Sequence, residues 1–369
     1  MNWKLIESAA ELEGAIAQNG DAVAVAVDTE FMRRRTFYPQ ASLLQLHFPE
    51  TGLAWLIDPL RVEDFSPLID LFRKRSVMKI LHAPGEDLEV FQRLLGVQPQ
   101  PLFDTQRAAA FLDMGHGLSY SALVMAVSGQ EVSKEETRSD WLARPLTNSQ
   151  QKYAAQDVLF LPSVYQQLRE QLAAAGKLQW LLEDGAQAAQ TAALDEVPSV
   201  SRIKMAWKLD RRQLAVLMAV CNWREQRARV TDKPRGWILS DQHCLQLAQQ
   251  NPSRLQDFQH LEDFPASVVS KQGKVLLQVI AQTLAVEEQD LPIRLPAPLD
   301  PKQRALLKQL KTRMRQMAKQ WGVAPEILLP ARDCELLARK LGGEPVREPS
   351  LWSGWRGERL LQPLLEQLG

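Results

Sequence analysis

Two short apolar runs, residues 41–48 and 53–57, are separated by Pro49-Glu50-Thr51-Gly52 alone, and this constrains the chain more than any other feature. Runs of that length suit strands, and a four-residue turn between them suits a hairpin, so the opening sheet is partly antiparallel. Residues 22–27 read as a buried strand ahead of the hairpin. Residues 65–75 read as a helix, 77–81 as another strand, and 85–95 as a helix with Leu88, Phe91, Leu94 and Leu95 at helical spacing. Apolar runs that alternate with amphipathic stretches predict an α/β sheet with helices packed on it, rather than a bundle.

Strand signals fade from Thr105 onward, and residues 147–172 read as helical, with Pro162 kinking or dividing the helix. Residues 195–201 resemble a linker, and the four prolines between Pro292 and Pro301 favour an extended connection. These breaks predict three domains, at 1–190, 204–286 and 295–369. Both later pieces show helical periodicity and have the size of small bundles. A chain of 369 residues has length enough for such a division. The net charge is zero, yet the first 195 residues hold 17 basic and 25 acidic side chains, against 27 and 19 in the remainder. An acidic half can hold cations and a basic half can attract polyanions.

Three elements carry chemistry. Asp28 and Glu30 are two apart at the end of the first strand, so they project to one face about 7 Å apart, where two carboxylates can share a cation. Asp87 follows a strand and turn and falls in or near the first turn of a helix, where an acid also suits the helix dipole. Tyr153 and Asp157 are four apart on a helix, which puts phenol and carboxylate on one face across small alanines. Four carboxylates converging without a cation would repel one another, and a divalent ion would relieve that repulsion. Oxygen ligands select hard ions, Mg²⁺ or Mn²⁺. Two such ions about 3.5–4 Å apart are a known device for phosphodiester hydrolysis. A tyrosine hydroxyl adds a group that can orient the attacking water.

The set Asp28-x-Glu30, then Asp87 five residues after His82, then Tyr153-x-x-x-Asp157 resembles the three exonuclease motifs of the DEDD superfamily. Tyrosine in the third motif indicates its DEDDy branch. Within that branch, Val27-Asp28-Thr29-Glu30-Phe31, the stretch from Arg138 through Ser139-Asp140-Trp141-Leu142-Ala143-Arg144 to Pro145-Leu146, and Tyr153-Ala154-Ala155-Gln156-Asp157-Val158 look like the ribonuclease D family. The resemblance implies a ribonuclease-H-like mixed-sheet exonuclease domain followed by two all-α HRDC-type helical domains. Trp223-Arg224-Glu225, Ile238-Leu239-Ser240-Asp241 and Gly273-Lys274-Val275-Leu276-Leu277 resemble the first HRDC domain, and Ser353-Gly354-Trp355-Arg356-Gly357-Glu358 the second.

By the same resemblance Asp28, Glu30, Asp87 and Asp157 are the metal-binding acids, holding two Mg²⁺ or Mn²⁺ ions, and Tyr153 positions or helps to deprotonate the nucleophilic water. The implied activity is 3′–5′ exoribonuclease trimming of RNA 3′ ends, tRNA precursors included, with release of nucleoside 5′-monophosphates. The acid spacing alone supports phosphodiester hydrolysis, so a DNA exonuclease of the same superfamily is the nearest alternative. A noncatalytic RNA-binding protein with a vestigial nuclease fold is the other.

Arg33, Arg34 and Arg35 follow the first motif and are candidates for phosphate contacts, or else a solvated basic loop. Arg138, Trp141 and Arg144 are candidates for stacking on an unpaired base, with anchoring of a loop as the competing role for Trp141. His82 reads as a structural turn residue, and Asp104 as an N-cap for the helix that follows it. Lys302, Arg304, Lys308, Lys311, Arg313, Arg315 and Lys319 crowd a stretch without acids between Asp300 and Glu326, and either meet RNA phosphates or form a solvated helix face. Three dispersed cysteines, Cys221, Cys244 and Cys334, fit neither a disulfide framework nor a cysteine zinc site. With no signal-like leader and no 18-residue apolar run, the expectation is a cytoplasmic protein away from membranes, and a monomer is the default.

Overall fold

The computed structural model describes residues 2–132, 136, 139–194 and 200–368. Six strands form one sheet: β1 (Asn2–Ile6), β2 (Ala24–Met32), β3 (Gln40–His47), β4 (Leu53–Ile57), β5 (Met78–Leu81) and β6 (Leu102–Asp104), in the order β1-β4-β3-β2-β5-β6. β3 runs antiparallel to both β2 and β4, whereas β2–β5, β5–β6 and β1–β4 are parallel, so the sheet is mixed. The hairpin at 49–52 forms as expected. β2 runs to Met32, five residues beyond the expected end, because its pairing with β3 continues past the acids, with a register shift between Glu30 and Phe31. The short strands β1 and β6 were not legible as strands.

The helices of this region are α1 (Ala9–Ala17), α2 (Ser66–Arg73), α3 (Gly85–Leu95), α4 (Thr105–Phe111), α5 (Tyr120–Ser128), α6 (Asn148–Leu159), α7 (Leu161–Ala174) and α8 (Leu178–Ala193). Pro162 opens α7 and divides it from α6, the second of the two outcomes the sequence allowed. Helices cover both faces of the sheet. Val25 and Val27 of β2 join one buried cluster with Leu44, Leu46 and Phe91, while Ala24 and Ala26 join another with Leu43, Leu56, Ala154, Ala155 and Val158. Small side chains on β2 and on α6 let that helix lie close over the strand that carries Asp28 and Glu30. Thr147 begins α6 with a capping box to Gln150. Where α8 passes β6, a Cβ on Gly185 would lie 2.4 Å from the Leu102 carbonyl oxygen, so only glycine permits that approach.

Beyond the sheet lie α9 (Arg211–Thr231), α10 (Arg235–Ile238), α11 (Asp241–Gln250) and α12 (Ala266–Leu284), followed by α13 (Pro301–Trp321), α14 (Ala331–Leu341) and α15 (Gln362–Leu368). The chain divides into two compact units. One contains Met1–Met32, Pro39–Leu194 and Leu299–Gly369, and the other contains Arg33–Tyr38 with Asp195–Pro298. Thus α13, α14 and α15 pack into the unit that holds the sheet.

In that unit Asp184 of α8 receives hydrogen bonds from Arg356, including Nη2 at 2.8 Å, from Trp355 Nε1 at 3.0 Å, and from Arg107. Burial alone would raise the Asp184 carboxyl, but the Arg356 hydrogen bonds and the Arg107 charge hold it below the usual carboxylate range. In the second unit, Glu225 is likewise buried and pairs with Arg229 and Arg235. Among the described residues no helix is long and apolar enough to cross a membrane.

Candidate active site

The site is built at β2, which lies inside the sheet between β3 and β5. Asp28 is paired across the antiparallel ladder with Gln45, and Glu30 with Leu43. Both acids therefore emerge on the face covered by α6. That helix supplies Asp157, and carboxylate oxygens of Asp28, Glu30 and Asp157 all lie within 4.8 Å of one another. Three carboxylates from two elements thus converge, each partly exposed, and their oxygens are close enough to ligate one cation.

Asp87 enters from the first turn of α3 and is 9% exposed. It stands outside the three-carboxylate cluster, and its carboxylate accepts the hydroxyl of Thr29, the residue between Asp28 and Glu30. Its charge nevertheless acts on both Asp28 and Glu30. Tyr153, one turn before Asp157 on α6, donates its hydroxyl to the Asp157 carboxylate. The i, i+4 spacing therefore makes a direct contact.

The electrostatics follow from burial and crowding. Desolvation first, then repulsion from Asp87, Asp157 and Glu30, pushes the Asp28 carboxyl well above its ordinary range. Desolvation and the charges of Asp157 and Asp87 push Glu30 up to about 9. Burial pushes Asp157 up to about 7 against the opposing Tyr153 hydrogen bond, and Asp87 up to about 6 against the Thr29 hydrogen bond. Carboxyls whose ionisation is disfavoured by burial, and at Asp28 and Glu30 also by neighbouring charge, are ones a polyvalent cation would help to ionise.

Tyr120 of α5 is a site neighbour that the sequence reading missed. Its hydroxyl donates to the backbone carbonyl of Gln156 at 2.8 Å, and burial followed by the charges of Asp157 and Asp28 raises its phenol well above the ordinary value. It pins the turn of α6 that carries Asp157. No short-range motif marks it, since it lies 37 residues before Asp157. His82 is structural, with its two ring nitrogens bound to the Thr105 hydroxyl and the Leu118 carbonyl. Asp104 caps α4 through the amides of Gln106 and Arg107.

The candidate substrate residues separate. Trp141 is buried, 2% exposed, with its ring 6.0 Å from that of Tyr153, so its faces belong to the core rather than to an open stacking surface. Arg144 pairs with the buried Asp58 through Nε at 2.6 Å and Nη2 at 2.8 Å, and also donates to the carbonyls of Ser42 and Trp141. Its guanidinium is thereby committed to holding this loop. Arg138 lies outside the described residues. Arg33, Arg34 and Arg35 belong to the segment that groups with the second unit; Arg34 and Arg35 are exposed, and Arg33 Nε donates to the Phe37 carbonyl at 3.0 Å. In that unit the Asp232 carboxylate accepts both the Phe37 and Tyr38 amides at 3.0 Å.

Comparison with known proteins agrees with this geometry. A family model described as 3′–5′ exonuclease matches residues 4–173, and the HRDC domain model matches residues 213–280. The chain is 42% identical to a ribonuclease D from Pseudomonas paraeruginosa over 93% of its length and 92% of the relative's. It is 35% identical to ribonuclease D of Escherichia coli over 99% of its length and 98% of the relative's. The chain belongs to the ribonuclease D family. A crystal structure of the E. coli ribonuclease D, described as "an exoribonuclease involved in structured RNA processing", superposes with a TM-score of 0.92 at 34% identity, covering 100% of this chain and 98% of that one. Ribonuclease D membership makes the protein a hydrolase, a 3′–5′ exoribonuclease with a mixed-sheet nuclease domain and a helical HRDC domain.

Proposed function

We propose that the chain removes nucleotides stepwise from accessible RNA 3′ ends, tRNA precursors among them, and releases nucleoside 5′-monophosphates as a monomeric cytoplasmic enzyme. The convergence of Asp28, Glu30 and Asp157 oxygens within 4.8 Å carries the metal-dependent hydrolysis, and the ribonuclease D relatives support RNA as the substrate. An all-oxygen, multiply anionic donor set fits hard divalent cations, so two Mg²⁺ or Mn²⁺ ions held by Asp28, Glu30, Asp87 and Asp157 are the assigned cofactors. When bound, such ions polarise the scissile phosphate, activate water and stabilise the leaving oxygen.

The chain's own residues do the rest. Asp28, Glu30 and Asp157 converge from β2 and α6 before substrate arrives, and Asp87 of α3 completes the proposed donor set. The Thr29 hydroxyl, donated to Asp87, holds that carboxylate beside the pair on β2. Tyr153, anchored on Asp157, supplies a hydroxyl that orients the attacking water and can take its proton only while passing its own to the Asp157 carboxylate. Tyr120 holds the α6 backbone beside them.

The test is incubation of the purified full chain with a 5′-labelled single-stranded RNA and a matching DNA, with Mg²⁺, with Mn²⁺ or with EDTA. The expected result is a metal-dependent ladder that shortens from the 3′ end of RNA. Shortening of both substrates would return the assignment to a nonselective exonuclease of the superfamily. RNA binding without shortening of either would favour the vestigial-nuclease reading.

A further inference from the structure

The seven cations noted between Lys302 and Lys319 do not surround α13 evenly. The helix buries Gln303, Leu310, Met314, Met317 and Ala318. At 100° per residue, Arg304, Lys308, Lys311, Arg315 and Lys319 fall together on one flank, within an arc of roughly 80° and along about 22 Å of helix. Lys302 and Arg313 lie on the opposite flank, and Arg313 is occupied by Gln367 and Gln316. All five stripe residues are exposed. Among the described residues no ion pair involves any of them.

The stripe is also fixed to the unit that holds the acidic site. Lys177, which precedes α8, donates its ammonium to the Phe111 carbonyl at 2.9 Å and to the Gly322 carbonyl just past α13 at 2.7 Å. The Ala324 amide donates to the Ala110 carbonyl at 2.8 Å. Trp321, the last residue of α13, packs on Trp180 at 5.6 Å, and Trp180 stacks on Trp355 at 4.9 Å. Arg304 Nη1 donates to the Leu299 carbonyl at 2.7 Å, but a five-charge row that no described carboxylate pairs repels itself, a cost that an anionic partner would offset.

We propose that the Arg304–Lys308–Lys311–Arg315–Lys319 stripe of α13 binds the phosphate backbone of the base-paired body of the RNA, while the 3′ tail occupies the acidic site. This rests on the RNA reading above. One-sided cations three or four residues apart match a backbone followed along one strand, where contact is sequence-independent and positions the substrate. An aromatic platform for unpaired bases is not part of the row, which favours a duplex over a single strand. Substrates with a folded body would then be held by two sites, and short unstructured ones by the acidic site alone.

The experiment compares the full-length wild type with the triple variant K308Q/K311Q/R315Q on two RNAs, a hairpin with a single-stranded 3′ tail and a short unstructured oligoribonucleotide. The three positions are exposed, so an unchanged melting temperature verifies folding. For the hairpin RNA, KM should rise about tenfold with kcat retained, and kcat/KM on the short RNA should change less than twofold. The slope of log Kd against log salt for the hairpin should lose between about two and three, near 0.9 for each phosphate contact removed. A K302Q/R313Q control, on the other flank, should leave the slope as in the wild type. Equal loss on both RNAs, or no change on either, overturns the proposal; the second outcome would leave the stripe to an acidic protein surface. A wild-type chain that shortens neither RNA refutes the underlying reading, and the inference with it.

Discussion

Glu30→Gln should make the metal-free protein more stable at neutral pH while destroying its activity. The Glu30 carboxyl moves from 4.5 to about 9 on folding, because burial and the charges of Asp157 and Asp87 disfavour the anion. Below about pH 4.5 both folded and unfolded states carry the proton, and the group contributes nothing. Between that pH and about 9 the folded state holds more proton than the unfolded chain, so wild-type stability falls as pH rises. At pH 7.5, at 1.36 kcal/mol per pH unit, the cost is at most about 4 kcal/mol. The side chain is partly exposed, and water screens the charge, so about 1–2 kcal/mol is the expected difference. Glutamine keeps the shape and never ionises. Urea denaturation of EDTA-treated protein should therefore show Glu30→Gln more stable than wild type by this amount at pH 7.5, with little difference at pH 5. Added Mn²⁺ should reverse the order, since only the wild type has the full donor set. A variant less stable than wild type at pH 7.5, or one stabilised equally at both pH values, would refute the idea that carboxylate crowding is stored in the fold.

Two further outcomes are expected. Tyr153→Phe removes the hydroxyl bonded to Asp157 and should lower kcat by 10²–10⁴-fold, the usual worth of a positioned acid–base group, with Mn²⁺ half-saturation shifted far less; unchanged single-turnover rates would remove Tyr153 from the mechanism. Arg356→Ala leaves Asp184 buried with its principal partner gone and should destabilise the sheet-containing unit by about 3–5 kcal/mol, measured as a lower urea midpoint. A loss under about 1 kcal/mol would mean that Arg107 and Trp355 alone satisfy Asp184.

Much of the catalytic half was legible because its signals are local. The hairpin at 49–52, the helix at Gly85–Leu95 and an interruption at Pro162 each follow from turn chemistry or periodicity within a dozen residues, although whether Pro162 kinks or divides the helix was left to the structure. Period two on a strand places Asp28 and Glu30 on one face, and period 3.6 on a helix places Tyr153 beside Asp157. What the spacing left open was whether β2 and α6 meet. Only the packing of Ala24 and Ala26 against Ala154 and Ala155 brings Asp157 to Asp28 and Glu30. Tyr120, the hydroxyl of Thr29 on Asp87, and the burial that raises these carboxyls are long-range facts for the same reason.

The basic residues show the limit most clearly. Composition places arginines at 33–35, 138 and 144 and a tryptophan at 141 without saying which face solvent. Packing spends Arg144 on Asp58 and draws Trp141 into the core. On α13 the sequence alone determined both the charge count and, once the helix is granted, the flank each charge takes. The tertiary structure decided that the apolar edge is buried, that no described carboxylate answers the stripe, and that Lys177 and Trp180 tie its end to the unit of the acidic site. Local periodicity is written in neighbouring residues, whereas burial and pairing depend on which distant surfaces exclude water together.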